Sequence, residues 1–344
     1  MTREQWPTFS PPIGSGILRQ SVEDFRVDEI PLVTATGQGE HIWLKIRKRN
    51  MNTDWVASLL AKRAVVAKKA VSYAGLKDRH AITTQWFSVH LPGKTEPNWS
   101  QPLSPEIEIL SVSRHQQKLR RGTLKGNRFT ITIRHYKGDY ERLLAKVALI
   151  CQRGVPNYFG EQRFGRQYSN IEGVKQWFES NQTPKKRHLR SLYLSAARSW
   201  IFNEILAKRV KQDNWDKALA GDIFMLNGTR SWFVDPVDDA IRTRVLEKDL
   251  HPSGSLWGQG KLLTQDSMRI LEENIAFKNT LLCRGLVLQG LKQDRRALRL
   301  LVEKLALERL DRDNVRLRFS LPAGCYATTV LRELLAYRAA SNNQ

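Results

Sequence analysis

Cysteine is scarce in this chain, and what little there is excludes two chemistries. Cys151, Cys283 and Cys325 are three in number and far apart, so they offer neither a disulfide framework nor a pair at metal-ligand spacing. The seven histidines contain no His-x-x-x-His pair and no Cys-x-x-Cys occurs; a zinc site is therefore not expected. No run of about 18 apolar residues is present, which argues against a membrane span. Met1 to Trp6 lacks the apolar core of a secretion signal, so a reducing cytoplasm is the expected compartment. Neither a Gly-x-Ser-x-Gly elbow nor a Rossmann glycine fingerprint is found. The Gly/Ser stretch from Pro252 to Gly260 lacks the Gly-Lys-Ser/Thr ending of a phosphate-binding loop. Nothing in the residues calls for a cofactor or a metal.

Negative charge is also in short supply. Lys and Arg number 56 against 34 acids, giving a formal net charge of +22 in 344 residues. The excess runs the length of the chain, so it coats folded surfaces and attracts a polyanion. A nucleic-acid backbone fits that description best; an anionic membrane is the rival, but no basic amphipathic helix dominates. Ten Trp, eight Tyr and twelve Phe could stack on unpaired bases, although most aromatics belong to cores. With 41% hydrophobic and 26% charged residues the chain reads as globular, and its length suits two domains of about 150 residues each.

One stretch combines a rigid mount with a carboxylate. Thr83 to Val89 has the β-branched and aromatic content of a strand, and just before it lies the polar turn Lys77-Asp78-Arg79-His80. The cationic neighbours favour an ionised Asp78, which could serve as nucleophile or base; a solvated surface turn is the equally ordinary alternative. Before it, residues 1–20 read as an irregular arm. Val22–Ile30 and His41–Arg47 alternate as strands, and Asn52 is placed to cap a helix through Leu60. The acids of the first strand, Glu23 among them, either orient cations in a site or pair with nearby Arg. After it come a loop with four prolines over 92–105, a strand over 106–112, and the basic connector 114–126, read as a phosphate-contacting or solvated loop. A strand follows over 127–134, then a helix over 140–151.

Gly154 to Gly165 changes the texture: three glycines and three aromatics in twelve residues suggest a loop with stacking groups and a domain junction. Helical patterns then dominate, with helices over 171–180, 187–211 and 264–278 and a hairpin around Asn227-Gly228. Strand texture returns after Arg295, and a closing helix is expected over 327–337. This sequence of textures is that of a domain inserted near residue 153 and closing near 301.

Several blocks together resemble one family. Gly75-Leu76-Lys77-Asp78-Arg79-His80-Ala81 with Thr84-Gln85, and Asn157-Tyr158-Phe159-Gly160-Glu161-Gln162-Arg163-Phe164-Gly165, are similar to the TruD family of tRNA pseudouridine synthases. Glu23 to Glu29, Arg316 to Phe319 and Leu321-Pro322-Ala323-Gly324 also fit its pattern. The resemblance implies an α+β fold: a pseudouridine synthase-type mixed, mainly antiparallel sheet with flanking helices, made of residues 1–152 and 302–344. An α/β TRUD domain of residues 153–301 would be inserted into it. The implied reaction is isomerisation of uridine to pseudouridine, at position 13 of tRNA, by Asp78 acting on a flipped-out nucleotide. Phe25, Asn127 and Phe129 match positions lining the uridine site, and Tyr326 stands where the family pattern leads us to expect Phe. Lys77, Arg79 and Glu23 are possible supporting residues, the first two as ion-pair partners of Asp78. No cofactor and no metal are implied; tRNA is the expected partner and a monomer the expected state. From the residues alone, a non-catalytic RNA-binding protein fits the charge and the aromatics equally well, and a hydrolase pairing Asp78 with Glu23 or Glu161 is a weaker third reading.

Overall fold

The structure, a computed structural model, describes residues 6–339. The chain divides into two compact units. One comprises Ile13–Ala148, Val302–Gly324 and residues 335–339; the other comprises residues 6–12, Leu149–Leu301 and Cys325–Leu334.

The first unit is built on a ten-stranded sheet. Its main path runs Glu303–Arg309, Val315–Pro322, Leu124–Lys137, Phe25–Pro31, Ile82–His90, His41–Arg49 and Ile107–His115. The pairings are antiparallel except that Phe25–Pro31 runs parallel to Ile82–His90, with Val27 beside Thr83. Alternation decides the faces. Ile42, Leu44, Ile46, Phe87 and Val89 point to one side, where the helix Thr53–Arg63 covers them with Val56, Ala57 and Leu60. Phe25, Val27, Phe129, Ile131 and Phe319, all buried, continue that side across the sheet. At Gly126 a Cβ would overlap the carbonyl oxygen of Leu321 on the neighbouring strand, so only glycine lets the two backbones pair there.

Three sequence expectations are corrected here. The expected N-terminal arm contains a strand, Ser15–Leu18, paired antiparallel to Leu124–Lys137 and parallel to Ala336–Ala339; residues 1–5 of that arm lie outside the described residues. The closing helix stops at Leu334, because residues 336–339 are drawn into this parallel pairing. The strand expected from Val22 begins only at Phe25; Val22–Asp24 is a single 3-10 turn, held where Asp24 Oδ2 accepts the Ser21 N–H at 2.9 Å.

The second unit is richer in helix: Ser169–Ser180, Arg187–Lys211, Asp239–Leu246, Asp266–Lys278, Thr280–Leu288 and Ala327–Leu334, with a four-stranded sheet. Leu250–Leu256 is a central, almost wholly buried strand of that sheet, where the Gly/Ser composition led us to expect a loop. Its small residues fit because the Phe202 ring lies against Gly254 and because Ser253 donates to the Ile223 carbonyl at 2.6 Å. The rings of the Asn157–Gly165 block are core: Tyr158 and Phe164 are buried with Trp6, Phe202 and Trp215. No helix among the described residues is long and apolar enough to cross a membrane.

Candidate active site

Asp78 sits in the loop between the short strand Val71–Tyr73 and Ile82–His90. Its carboxylate is half-buried and accepts a hydrogen bond from Arg19 Nη2 at 2.9 Å. Arg19 follows the Ser15–Leu18 strand with φ at 58°, in the left-handed region. A non-glycine residue takes that conformation at a cost, and here it accompanies a guanidinium on the carboxylate. The same guanidinium carbon lies 4.1 Å from the centroid of the Phe25 ring. Arg19 thus joins the carboxylate to the aromatic row, where Phe25 meets Phe129 edge-on at 6.3 Å and Phe129 stacks on Phe319 at 5.3 Å.

The loop is fixed from beneath by Lys48, which is fully buried. It lies on the apolar face of its strand, in the row of Ile42, Leu44 and Ile46. Its ammonium donates to the main-chain carbonyls of Asp78 at 2.9 Å and Met51 at 2.6 Å. Burial pulls its pKa down to about 8; the Asp78 charge opposes the shift and Lys77 adds to it. A second set of bonds runs through Thr53. Its hydroxyl donates to Gln85 Oε1 at 2.9 Å and accepts the Lys77 N–H at 3.1 Å, while Gln85 Nε2 donates to the Gly75 carbonyl at 3.0 Å. Thr53 therefore works inward as the first residue of its helix, and the expected Asn52 side-chain cap is not made.

The expected partners of Asp78 are placed elsewhere. Lys77 turns away and forms a buried ion pair with Glu29 at 2.7 Å, and Glu29 also accepts the Trp86 N–H at 3.3 Å. Arg79 is exposed and makes no ion pair among the described residues. Glu23 pairs with Arg49 and Asp24 with Arg134 at 2.7 Å, so both acids of the Val22–Asp24 turn meet arginines. Arg19 is the ion-pair partner of Asp78 that Lys77 and Arg79 were expected to be, while Lys48 holds the loop through main-chain carbonyls. Lys48 had a signal in the sequence, a lysine in phase with Ile42, Leu44 and Ile46; Arg19, beyond a strand the composition hides, had none.

Asn127 lies across the sheet from Glu29 and beside the Phe129 row. Its Oδ1 is buried and accepts no hydrogen bond, which is costly unless a donor arrives. The Thr83 hydroxyl, next to Val27 in register, is likewise buried without a partner. Tyr326 belongs to the other unit, where its hydroxyl accepts from Arg163 Nη2 at 2.9 Å and Nε at 3.2 Å. The basic connector is tethered: Leu119 is buried with Trp43 and Ala74, and the Leu119 and Gly122 amides donate to Ser88 Oγ and the Ala74 carbonyl. Among the described residues no group of His, Cys, Asp and Glu is arranged to hold a metal ion.

The arrangement offers a carboxylate paired with a guanidinium on a braced loop, beside an aromatic row and an amide oxygen lacking a donor. Comparison with known proteins gives it a family. The sequence matches the family model for tRNA pseudouridine synthase D (TruD) over residues 3–178 and 170–334. It is 47% identical to tRNA pseudouridine synthase D of Nitrosococcus oceani over 329 residues, covering 94% of this chain and 92% of that one. It is 45% identical to the Colwellia psychrerythraea protein of the same name, over 98% of this chain and 94% of that one. In fold it is similar to a crystal structure described as tRNA pseudouridine synthase D (TruD) from Methanosarcina mazei, with a TM-score of 0.74 at 24% identity and 95% coverage of both chains. The chain belongs to the tRNA pseudouridine synthase D family.

Proposed function

We propose that this protein is a tRNA pseudouridine synthase acting on uridine at position 13, with Asp78 as its catalytic carboxylate and the target nucleotide flipped out of the stack. The observation that carries the reading is the Arg19–Asp78 pair on a loop braced by Lys48. The guanidinium aims the carboxylate through a charge-assisted hydrogen bond. The reaction breaks the glycosidic C–N bond, rotates the uracil and forms a C–C bond to the same sugar carbon; the base carbon loses a proton and the freed nitrogen gains one. An ionised Asp78 serves whether it attacks the sugar or removes a proton from it. Phe25 and Phe129 supply an apolar wall, and the buried Asn127 Oδ1 accepts the imide N–H of the uracil. Extruding a base costs a few kcal/mol, and those contacts repay it. We assign residues 1–152 and 302–344 to the catalytic domain and 153–301 to the inserted one, although residues 6–12 and Cys325–Leu334 group with the compact unit that contains Leu149–Leu301.

The test compares wild type with Asp78→Asn on an unmodified tRNA transcript, scoring pseudouridine by carbodiimide primer extension and tRNA binding by gel shift. Asn keeps the size and the Arg19 contact but cannot carry charge, so product is expected to vanish while binding stays within about twofold. Equal product from both proteins would remove Asp78 from the chemistry. Binding by both with product from neither would make the protein an RNA binder.

A further inference from the structure

We propose that the second unit holds an anion site, formed by Arg163 and Arg296 around the Phe159 ring, which takes a phosphate of the substrate RNA backbone. The proposal rests on RNA being the substrate. Arg163 lies in the 3-10 turn Glu161–Phe164 and Arg296 on the strand Asp294–Ala297. Their guanidinium carbons stand 5.6 and 4.1 Å from the centroid of the same Phe159 ring.

Every protein acceptor they use is neutral. Arg163 donates to the Tyr326 hydroxyl and, at 2.8 Å, to Ser195 Oγ. Arg296 donates to the Asn157 side chain at 2.6 Å, to its main-chain carbonyl at 3.3 Å, and to the Cys325 sulfur, a thiol that burial keeps protonated. Among the described residues neither meets a carboxylate. In the same unit Arg209 is paired with Asp222, Arg295 with Glu272, and Arg153 with Asp216. The singly placed Arg198 and Arg299 direct donors to main-chain carbonyls. Among the described residues of this unit, only at Phe159 do two guanidinium ions share a ring with no acid. Burial holds the Arg296 guanidinium below its ordinary pKa, against the opposing pull of Cys325 and Tyr326 and with a smaller push from Arg163. A ring face returns about 0.5–2 kcal/mol per cation, whereas uncompensated half-buried charges cost more than that.

An anion between them removes the imbalance. Each guanidinium has five N–H donors, and both retain some that no protein atom accepts. Because the Tyr326 oxygen already accepts from Arg163, its own proton is left to donate to an anion. Planar forks and a hydroxyl suit the oxygens of a phosphate. The chain's excess of positive charge directs RNA to such a place, and a free phosphate or nucleotide is the other source of the same chemistry.

The experiment measures tRNA affinity against salt for wild type, Arg163→Gln, Arg163→Lys and Arg296→Gln, with pseudouridine formation scored on the same transcript. Losing one phosphate contact should reduce the slope of log affinity against log salt by about 0.7–0.9. That reduction is expected for Arg163→Gln and not for Arg163→Lys; Arg163 carries the test if Arg296→Gln fails to fold. A wild-type slope in Arg163→Gln would overturn the proposal, product formation notwithstanding. A thermal shift with inorganic phosphate separates the sources: stabilisation of wild type but not Arg163→Gln at micromolar phosphate, with unchanged RNA slopes, would make the site one for free phosphate and overturn the RNA assignment. Absence of product from wild type, whatever the slopes, would instead defeat the reading of the activity.

Discussion

Lys48 separates holding a loop from doing chemistry. Its ammonium is the donor that fixes the Asp78 and Met51 carbonyls, yet it touches no side chain of the site. Replacing it with Met keeps the length and leaves both part-buried carbonyls without their donor, a loss of about 1–3 kcal/mol each at most. In Lys48→Met we expect kcat to fall at least tenfold while tRNA affinity holds within about twofold. A variant with wild-type kcat would show that the loop keeps its place without Lys48. Its protonation makes a second mark. The folded-state pKa of about 8 lies below the ordinary 10.5, so between those values the unfolded chain binds more protons and stability rises with pH. Wild type should therefore gain stability relative to Lys48→Met as pH goes from about 8 to 10.5, by an amount on the order of 3 kcal/mol. Denaturant melts of both proteins across that range check the sign.

Strands in this chain announce themselves where one face is apolar and hide where tertiary packing overrides composition. His41–Arg47 and Thr83–Val89 read as strands from their β-branched and aromatic content, and the structure extends them to His41–Arg49 and Ile82–His90; Lys48 lies just past the end of the stretch so marked. Leu250–Leu256 did not read as a strand, because Pro252, Ser253 and Gly254 are poor strand formers in isolation, and its central place is supported by Phe202, Arg295 and the flanking strands. Ser15–Leu18 was hidden for a similar reason: four residues carry too little pattern, and its partners lie far away in sequence at 133–137 and 336–339. That is also why Arg19 could not be foreseen beside Asp78. The aromatic block Tyr158–Phe164 had stacking chemistry in its composition, but only the fold could say that Tyr158 and Phe164 are spent on the core. Backbone proximity gives a test of the central pairing. In Gly126→Ala the new methyl must push against the Leu321 carbonyl of the adjacent strand. Overpacking of this kind costs about 1–3 kcal/mol, and a urea midpoint equal to wild type would mean that the strands yield without cost.

The charge excess and the site act over different distances, and salt should separate them. A net charge of +22 spread over the chain draws RNA from afar through a field that is screened beyond about 8–10 Å at physiological ionic strength. The Arg19–Asp78 bond is 2.9 Å long, with each side chain about a third exposed or less, so its geometry lies well inside that screening length. Raising salt from 50 to 200 mM should then weaken tRNA binding by about 10³–10⁵-fold if six to ten phosphates are contacted. The rise should appear in KM, while kcat at saturating tRNA changes less than about twofold. Steady-state rates at the two salt concentrations decide it. A kcat that falls alongside the affinity would mean that the surface field reaches into the chemical step, and that the carboxylate depends on distant cations as well as on Arg19.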